Sequence, residues 1–263
     1  MYAFDYHRPQ TVAEAAKLLA SSEDAKLLAG GHTLIPTMKQ RLASPRTLID
    51  LGRIGELRGI EKKGDALVVG AMTTHAEVAS SATVRQAIPG LAKLAKAIGD
   101  PHVRNRGTIG GSIANNDPAA DYPAAVVALG ATVTTNQRDI AADGFFTGLF
   151  TTALKEGEIV TKVSFPIPAK FAYVKFANPA SRYALVGVAV AQRGSETRVA
   201  VTGAGASGVF RVPAMEAALK NWSAAALGTI AVDASKLNGD IHADAAYRAH
   251  LVGVLARRAV ARA

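Results

Sequence analysis

Two glycine pairs, Gly30-Gly31 and Gly110-Gly111, constrain this chain more than any other feature. The first stands in Ala29-Gly30-Gly31-His32-Thr33, directly after the apolar Leu27-Leu28. The second stands in Thr108-Ile109-Gly110-Gly111-Ser112, after the polar stretch Arg104-Asn105-Arg106-Gly107. A Gly-Gly step lets backbone N–H groups turn toward an anion with no Cβ in the way. Each pair is followed closely by a hydroxyl, Thr33 or Ser112, that can add a donor. One pair alone would mark only a tight turn, because glycine punctuates loops generally. Two such cradles point to one ligand with two phosphates held from both sides, as in the pyrophosphate of a dinucleotide.

Composition narrows the chemistry that such a ligand could serve. The chain has no cysteine, which excludes a disulfide, a thiolate nucleophile, a thiolate-ligated zinc and an iron–sulfur cluster on this polypeptide. A redox role would therefore need an organic electron carrier, or one on another chain. With 263 residues, 49% of them apolar and only 6% aromatic, the chain can bury a core of small side chains and is long enough for two domains. The net charge of +9 is dispersed, with no basic run interleaved with aromatics, so no nucleic-acid partner is expected. Lys39-Gln40-Arg41 and Arg104-Asn105-Arg106 flank the glycine pairs, which suits phosphate attraction; an acidic partner protein would also suit the excess charge. No apolar stretch approaches the ~20 residues of a membrane span, and the Met1–Asp5 start has no basic region leading into an apolar run. The expectation is a cytoplasmic protein without a transmembrane segment.

Local patterns predict an α+β architecture. Thr11-Val12-Ala13-Glu14 forms a capping box opening a helix, followed by a strand at 26–29, a helix at 33–41 and a strand at 47–51. Ala66–Gly70 is predicted as a strand, Thr74-His75-Ala76-Glu77 as a second capping box, and 88–98 as a helix. Residues 99–123, rich in Gly, Asn, Asp and Pro, are predicted as one long functional loop. Tyr122–Leu129 reads as helical, 131–135 and 158–165 as strands. Past Pro166-Ile167-Pro168 the pattern changes: strands at 173–176, 184–192 and 197–204, the last two joined as a hairpin at Arg193-Gly194-Ser195-Glu196, then mainly helices, ending in one at 243–263. Strands followed by helices imply a separate domain.

Several chemistries lack support. There is no Gly-x-Ser-x-Gly elbow, no Walker A sequence and no Gly-x-Gly-x-x-Gly at a βαβ start. His32 has no second ligand at metal-binding spacing, so no metal is expected. His75 lies inside a capping box and reads as structural. Asp121 reads either as the N-cap of the helix from Tyr122 or as a ligand group.

The segment Ile113-Ala114-Asn115-Asn116-Asp117-Pro118-Ala119-Ala120-Asp121-Tyr122-Pro123 joins directly to the second glycine pair. Together with Ala29–Thr33, the following Leu34–Leu42, Val69–His75 and the early Phe4–Pro9, it resembles the FAD-binding medium subunits of molybdenum hydroxylases, the xanthine dehydrogenase family. The likeness is greatest to medium subunits of the aerobic carbon monoxide dehydrogenase type. The resemblance implies a two-part FAD-binding domain of the PCMH/vanillyl-alcohol-oxidase type over 1–168, with subdomains of about 1–55 and 56–168. A small C-terminal domain of antiparallel sheet and helices would follow over 169–263. It implies that Ala29, Gly30, Gly31, His32, Thr33, Thr108, Ile109, Gly110, Gly111 and Ser112 hold the FAD pyrophosphate. Ile98 is implied as an apolar contact, Asn115 and Asp121 as polar contacts, and Val160 (or Ile159), Lys175 and Tyr183 as later contacts, with Tyr183 near the isoalloxazine. Thr33 replaces the commoner serine and keeps the hydroxyl.

In that family a large subunit with a molybdopterin cofactor oxidises the substrate, and a small subunit with two [2Fe–2S] clusters passes electrons to FAD. The resemblance thus implies an electron-transfer subunit with no catalytic acid or base of its own, in a dimer of heterotrimers. It leaves open a place at the periphery of the inner membrane through that complex. Carbon monoxide, aldehydes, N-heterocycles and aromatic acyl-CoA compounds all stay open as substrates, as do quinone, NAD and oxygen as acceptors. Two other readings are a stand-alone flavin oxidoreductase on the same fold and a non-catalytic interaction module.

Overall fold

The computed structural model describes residues 1–263. Its N-terminal part is a three-stranded parallel sheet in which Thr47–Asp50 lies between Asp5–His7 and Ala25–Leu28. The Val12–Ala20 helix opens on Thr11, whose hydroxyl accepts from Glu14 N at 3.1 Å. The Glu14 carboxylate reaches one residue further back than a capping box requires and accepts from Gln10 N at 2.8 Å. The second helix is shorter than predicted, Leu34–Lys39; Arg41, at φ 62°, turns the chain out of it. Ala15, Ile49, Leu51, Ile54, Leu57, Met72 and Ile159 form the core of this part, with Ala29 packed against it.

A five-stranded antiparallel sheet follows, in the order Ile60–Lys63, Ala66–Gly70, Val160–Pro166, Thr132–Thr135, Asp139–Ala141. Between its second strand and Thr132–Thr135 the chain runs through a series of short helices. The stretch predicted as one loop over 99–123 is in fact mostly two of them, Pro101–Arg106 and Ile109–Asn115. Asp100 caps the first by accepting from Val103 N at 2.9 Å, and Thr108 caps the second by accepting from Gly111 N at 3.1 Å. Two glycines inside the second helix lower its propensity by about 1 kcal/mol each relative to alanine, which hid it in the sequence; tertiary packing overrides that cost.

The C-terminal sheet is antiparallel in chain order, Lys170–Ala177, Ala184–Arg193, Glu196–Thr202 and Phe210–Arg211. The predicted hairpin at Arg193–Glu196 is present, with Gly194 at φ 57°. Strand Ala184–Arg193 is buried on both faces. Val186, Val188 and Val190 face Leu251, Val252 and Leu255 of the Ala245–Val260 helix. Ala189 and Ala191 face the opposite way and join the core of the five-stranded sheet and the Tyr122–Ala128 helix. Alanine on that face lets helix and sheet approach closely. Beyond the Pro213–Ala218 helix, the predicted run of helices is replaced by short 3-10 turns until Ala245. Gly228, Asp233, Asn238, Gly239 and Asp240 favour turns over continued α-helix. No helix is long and apolar enough to cross a membrane.

Candidate cofactor site

The two glycine pairs meet in space. A Cβ on Gly30 would lie 2.1 Å from the carbonyl oxygen of Arg106, and one on Gly111 would lie 3.3 Å from Cβ of Ala29. The pairs are not equivalent, however. Ile109 N donates to Thr73 O at 3.1 Å, and Gly110 N donates to Ala71 O at 2.8 Å. Gly111 N is taken by the Thr108 hydroxyl. A Cβ on Gly110 would sit 2.5 Å from Cβ of Ala71. Glycine in the second pair thus serves close packing of helix Ile109–Asn115 against residues 71–73, and its amides are already bonded. In the first loop, the N–H groups of Gly30, Gly31, His32 and Thr33 donate to no acceptor in the chain. Gly31 is left-handed at φ 77°, and a left-handed residue within a run of free amides forms an anion-binding concavity. The arrangement is one cradle resting on a packed floor.

His75 braces that floor. Its backbone N–H donates to Gly107 O at 3.0 Å, and Thr74 and Glu77 complete a reciprocal capping box. The imidazole is buried, with its centroid 5.4 Å from the Tyr122 ring, and its Nε2 lies where a Cβ on Gly107 would fall 2.6 Å away. Burial pushes its pKa down to about 4, and the neighbouring His32 and Arg104 push in the same direction. His75 is therefore neutral at pH 7, in keeping with a structural role. Its Nδ1 and the Tyr122 hydroxyl are buried without a hydrogen-bond partner.

A second cluster forms where the 117–121 segment docks on the C-terminal sheet. Pro118 O accepts from Gly203 N at 2.8 Å and from the Thr202 hydroxyl at 3.0 Å; Ala120 O accepts from the same hydroxyl at 2.7 Å. This docking carries Asp121 to strand Lys170–Ala177. Asp121 is not an N-cap: it is already helical at φ −78°, ψ −41°, and its side chain caps nothing. Instead its carboxylate lies 3.0 Å from Lys175 Nζ and accepts from the Tyr173 hydroxyl. The Asp121 and Lys175 side chains are only 4% and 8% exposed. Burial raises the Asp121 pKa, while Lys175 and Tyr173 oppose the rise.

Lys175 Nζ also donates to Arg182 O at 2.8 Å, so the same ammonium ties down the turn that carries Tyr183. The Asn178 side chain builds that turn, accepting from Ala180 N at 2.9 Å and Ser181 N at 3.1 Å. Tyr183 stays half-exposed, and burial, then the charges of Asp117 and Asp121, raise its phenol pKa. Nearby, Arg104 donates to Ile98 O at 2.9 Å and Gly99 O at 3.0 Å, and Arg182 reaches Gly99 O at 3.4 Å.

The structure thus gathers Ala29–Thr33 with Thr108–Ser112, and separately Asp121, Lys175 and the turn bearing Tyr183; Ile98 is tied to that turn only through its neighbour Gly99, which Arg182 reaches. Asn115 ends the helix Ile109–Asn115 between the two groups along the chain, partly buried. Val160 points into the core of the five-stranded sheet, and Ile159 into the core that Ala29 packs against. Sequence reasoning missed Tyr173, Arg182 and Asn178, and it read Arg104 as a phosphate-attracting charge where the side chain bonds the carbonyls of Ile98 and Gly99. Tyr173 had a signal, since it shares a strand face with Lys175 by the two-residue period.

A family model described as the FAD binding domain in molybdopterin dehydrogenase matches residues 2–168. The chain belongs to that family. Among its curated relatives, the carbon monoxide dehydrogenase medium chain of Hydrogenophaga pseudoflava is 38% identical, over 98% of this chain and 96% of the relative. The nicotine 6-hydroxylase medium subunit of Paenarthrobacter nicotinovorans is 37% identical, over 99% and 97%. Among solved structures, reconstituted CO dehydrogenase from Oligotropha carboxidovorans superposes with a TM-score of 0.91 at 35% identity, covering 100% of this chain and 98% of that one. The molybdopterin dehydrogenase FAD domain therefore accounts for the N-terminal two-thirds, and full-length medium subunits account for the whole chain. This is a medium, FAD-binding subunit of an oxidoreductase of the molybdenum hydroxylase family.

Proposed function

We propose that this chain holds one FAD across the two clusters and passes electrons through it within a heterotrimeric molybdenum hydroxylase. The observation that carries the reading is the run of unbonded N–H groups from Gly30 to Thr33. Those donors match a pyrophosphate, and the Thr33 hydroxyl, which caps no helix amide, adds another. The floor residues Thr108, Ile109, Gly110, Gly111 and Ser112 set the height of the cradle. Ile98 supplies an apolar wall. Asp121 and Lys175 offer a buried acceptor and donor, and Asn115 offers an amide. Half-exposed Tyr183 gives an aromatic face at the mouth. The backbone around Val160 is assigned as a further contact.

Bound FAD would accept electrons from a neighbouring centre and release them to an external acceptor. The chain's own residues bind and orient it. No thiol is present to carry an iron–sulfur cluster here, so those centres and the molybdopterin cofactor are assigned to a small and a large partner subunit. We read residues 1–168 as the FAD domain and 169–263 as a C-terminal domain that closes the cleft. Relatives of nearly equal identity are named for carbon monoxide and for nicotine, which supports placing substrate choice on the large subunit.

The test is an absorbance spectrum and flavin content of the purified chain, followed by co-purification and metal analysis of its complex. About one FAD per chain, with molybdenum and iron on co-purifying subunits, is the expected result. A chain that takes up no flavin when incubated with FAD would sink the reading. Turnover of a small substrate by the isolated flavoprotein would replace it with a stand-alone oxidoreductase.

A further inference from the structure

Tyr173 and Lys175 stand on one face of strand Lys170–Ala177, opposite Ala189 and Gly187 of the neighbouring strand. The phenol of Tyr173 leans across that ladder until its hydroxyl lies over Gly187. A Cβ on Gly187 would be 2.2 Å from this hydroxyl and 2.9 Å from the ring carbon Cε2. No side chain fits at 187 while Tyr173 keeps its pose. From that seat the hydroxyl donates to Asp121 Oδ1. Thr202, opposite Gly187 on its other side, bonds the carbonyls of Pro118 and Ala120 in the segment that delivers Asp121. Three neighbouring strands therefore supply a prepared seat for one carboxylate. A buried carboxylate with a single ammonium partner is poorly compensated, and a second donor both steadies it and fixes its orientation.

We propose that Tyr173, seated over Gly187, is a positioning residue for the cofactor: it holds the Asp121 carboxylate so that the Lys175 ammonium stays aimed at the flavin cleft. This rests on the reading of that cleft as the FAD site. In this role Tyr173 acts through Asp121 and Lys175 and not on FAD directly. The same ammonium bonds Arg182 O in the turn bearing Tyr183, so the seat also governs the mouth of the cleft.

The experiment titrates FAD into the flavin-free full chain across pH, comparing the unmodified protein with Y173F and G187A. Both variants are expected to weaken FAD binding about tenfold or more, the effect of a lost hydrogen bond to a charged group. The acid limb of the affinity profile should also move to higher pH in Y173F, because Asp121 loses a donor that favours its charged form. Lys175 and Tyr173 act on the Asp121 carboxylate, whose charge in turn raises the phenols of Tyr122 and Tyr183; of these groups only Tyr173 is changed in Y173F. A purely structural role would weaken binding without moving that limb, and would overturn the proposal. So would Y173F that binds FAD as the unmodified chain does. Should G187A fail to fold, Y173F carries the test, since it removes one oxygen and leaves the ring in place. An unmodified chain that takes up no FAD is a different failure: it overturns the cofactor reading on which the proposal stands.

Discussion

Gly30 rests against the backbone carbonyl of Arg106 so closely that a methyl group there would lie 2.1 Å from the oxygen. That one approach joins the parallel-sheet part to the helices of the five-stranded sheet and leaves the amides of Gly30–Thr33 over the start of helix Ile109–Asn115. The cradle is therefore a junction between two parts of the chain and cannot be changed as an isolated loop.

Gly30→Ala should force the junction apart, because the clash is with backbone rather than a flexible side chain. A loss of about 1–3 kcal/mol in unfolding free energy, together with at least tenfold weaker FAD uptake, is expected. Gly31→Ala should cost a similar ~1–3 kcal/mol by strain at its left-handed backbone. Gly55→Ala, where nothing lies within 4 Å of the added Cβ, serves as the silent control. Denaturant unfolding and flavin titration read all three.

His75 should make stability depend on pH in one window. Its pKa is 6.5 when unfolded and about 4 when buried in the fold, so between these values the unfolded chain binds the extra proton. Stability contributed by neutral His75 is complete above about 6.5 and falls as pH drops toward 4. Urea unfolding across that range should show the fall in the unmodified chain and lose this component in His75→Gln.

Glu158 should act in a lower window. Arg138 holds it through Nε at 2.6 Å, and Lys155 N adds a bond at 2.7 Å. The Arg138 hydrogen bond, aided by that amide, brings its pKa down from 4.5 to about 2. The resulting stability is present above 4.5 and lost as pH falls toward 2. Glu158→Gln should lack this acid-dependent loss in unfolding curves, and an unchanged slope would refute the assignment.

Asp121 and Lys175 should be strongly coupled. Removing either alone, as Asp121→Asn or Lys175→Met, leaves a buried charge uncompensated, at about 3–5 kcal/mol. The double variant should cost clearly less than the two single losses combined. A double-mutant cycle by denaturant unfolding measures the difference, and simple additivity would show that the pair is not an energetic unit.

Much of the architecture was legible locally. The helix opening on Thr11, the second capping box at Thr74 and the hairpin at Gly194 all depend on residues within one turn or one reversal of chain. The helix Ile109–Asn115 was not legible, because its two glycines argue against a helix and, beyond the Thr108 cap, it is contact with Ala71, Thr73 and Ala29 that favours one. The absent helices between Ala218 and Ala245 have the converse cause: helices were expected there, and dispersed Gly, Asp and Asn broke the segment into turns. At the site, residue types pointed to phosphate binding, yet nothing local showed that the two glycine pairs differ.

By itself the sequence determined what the chain can and cannot carry: flexible amides at two glycine pairs, hydroxyls beside them, and no thiol for a metal cluster. Those are properties of residue types and short spacings. The tertiary structure decided which of these groups are available. It bonded the amides of Gly110 and Gly111 into the floor and left those of Gly30–Thr33 free. It also turned Asp121 from a candidate helix cap into the buried partner of Lys175 and Tyr173. Hydrogen-bond partners and burial come from segments far apart in the chain, and only folding brings those segments together.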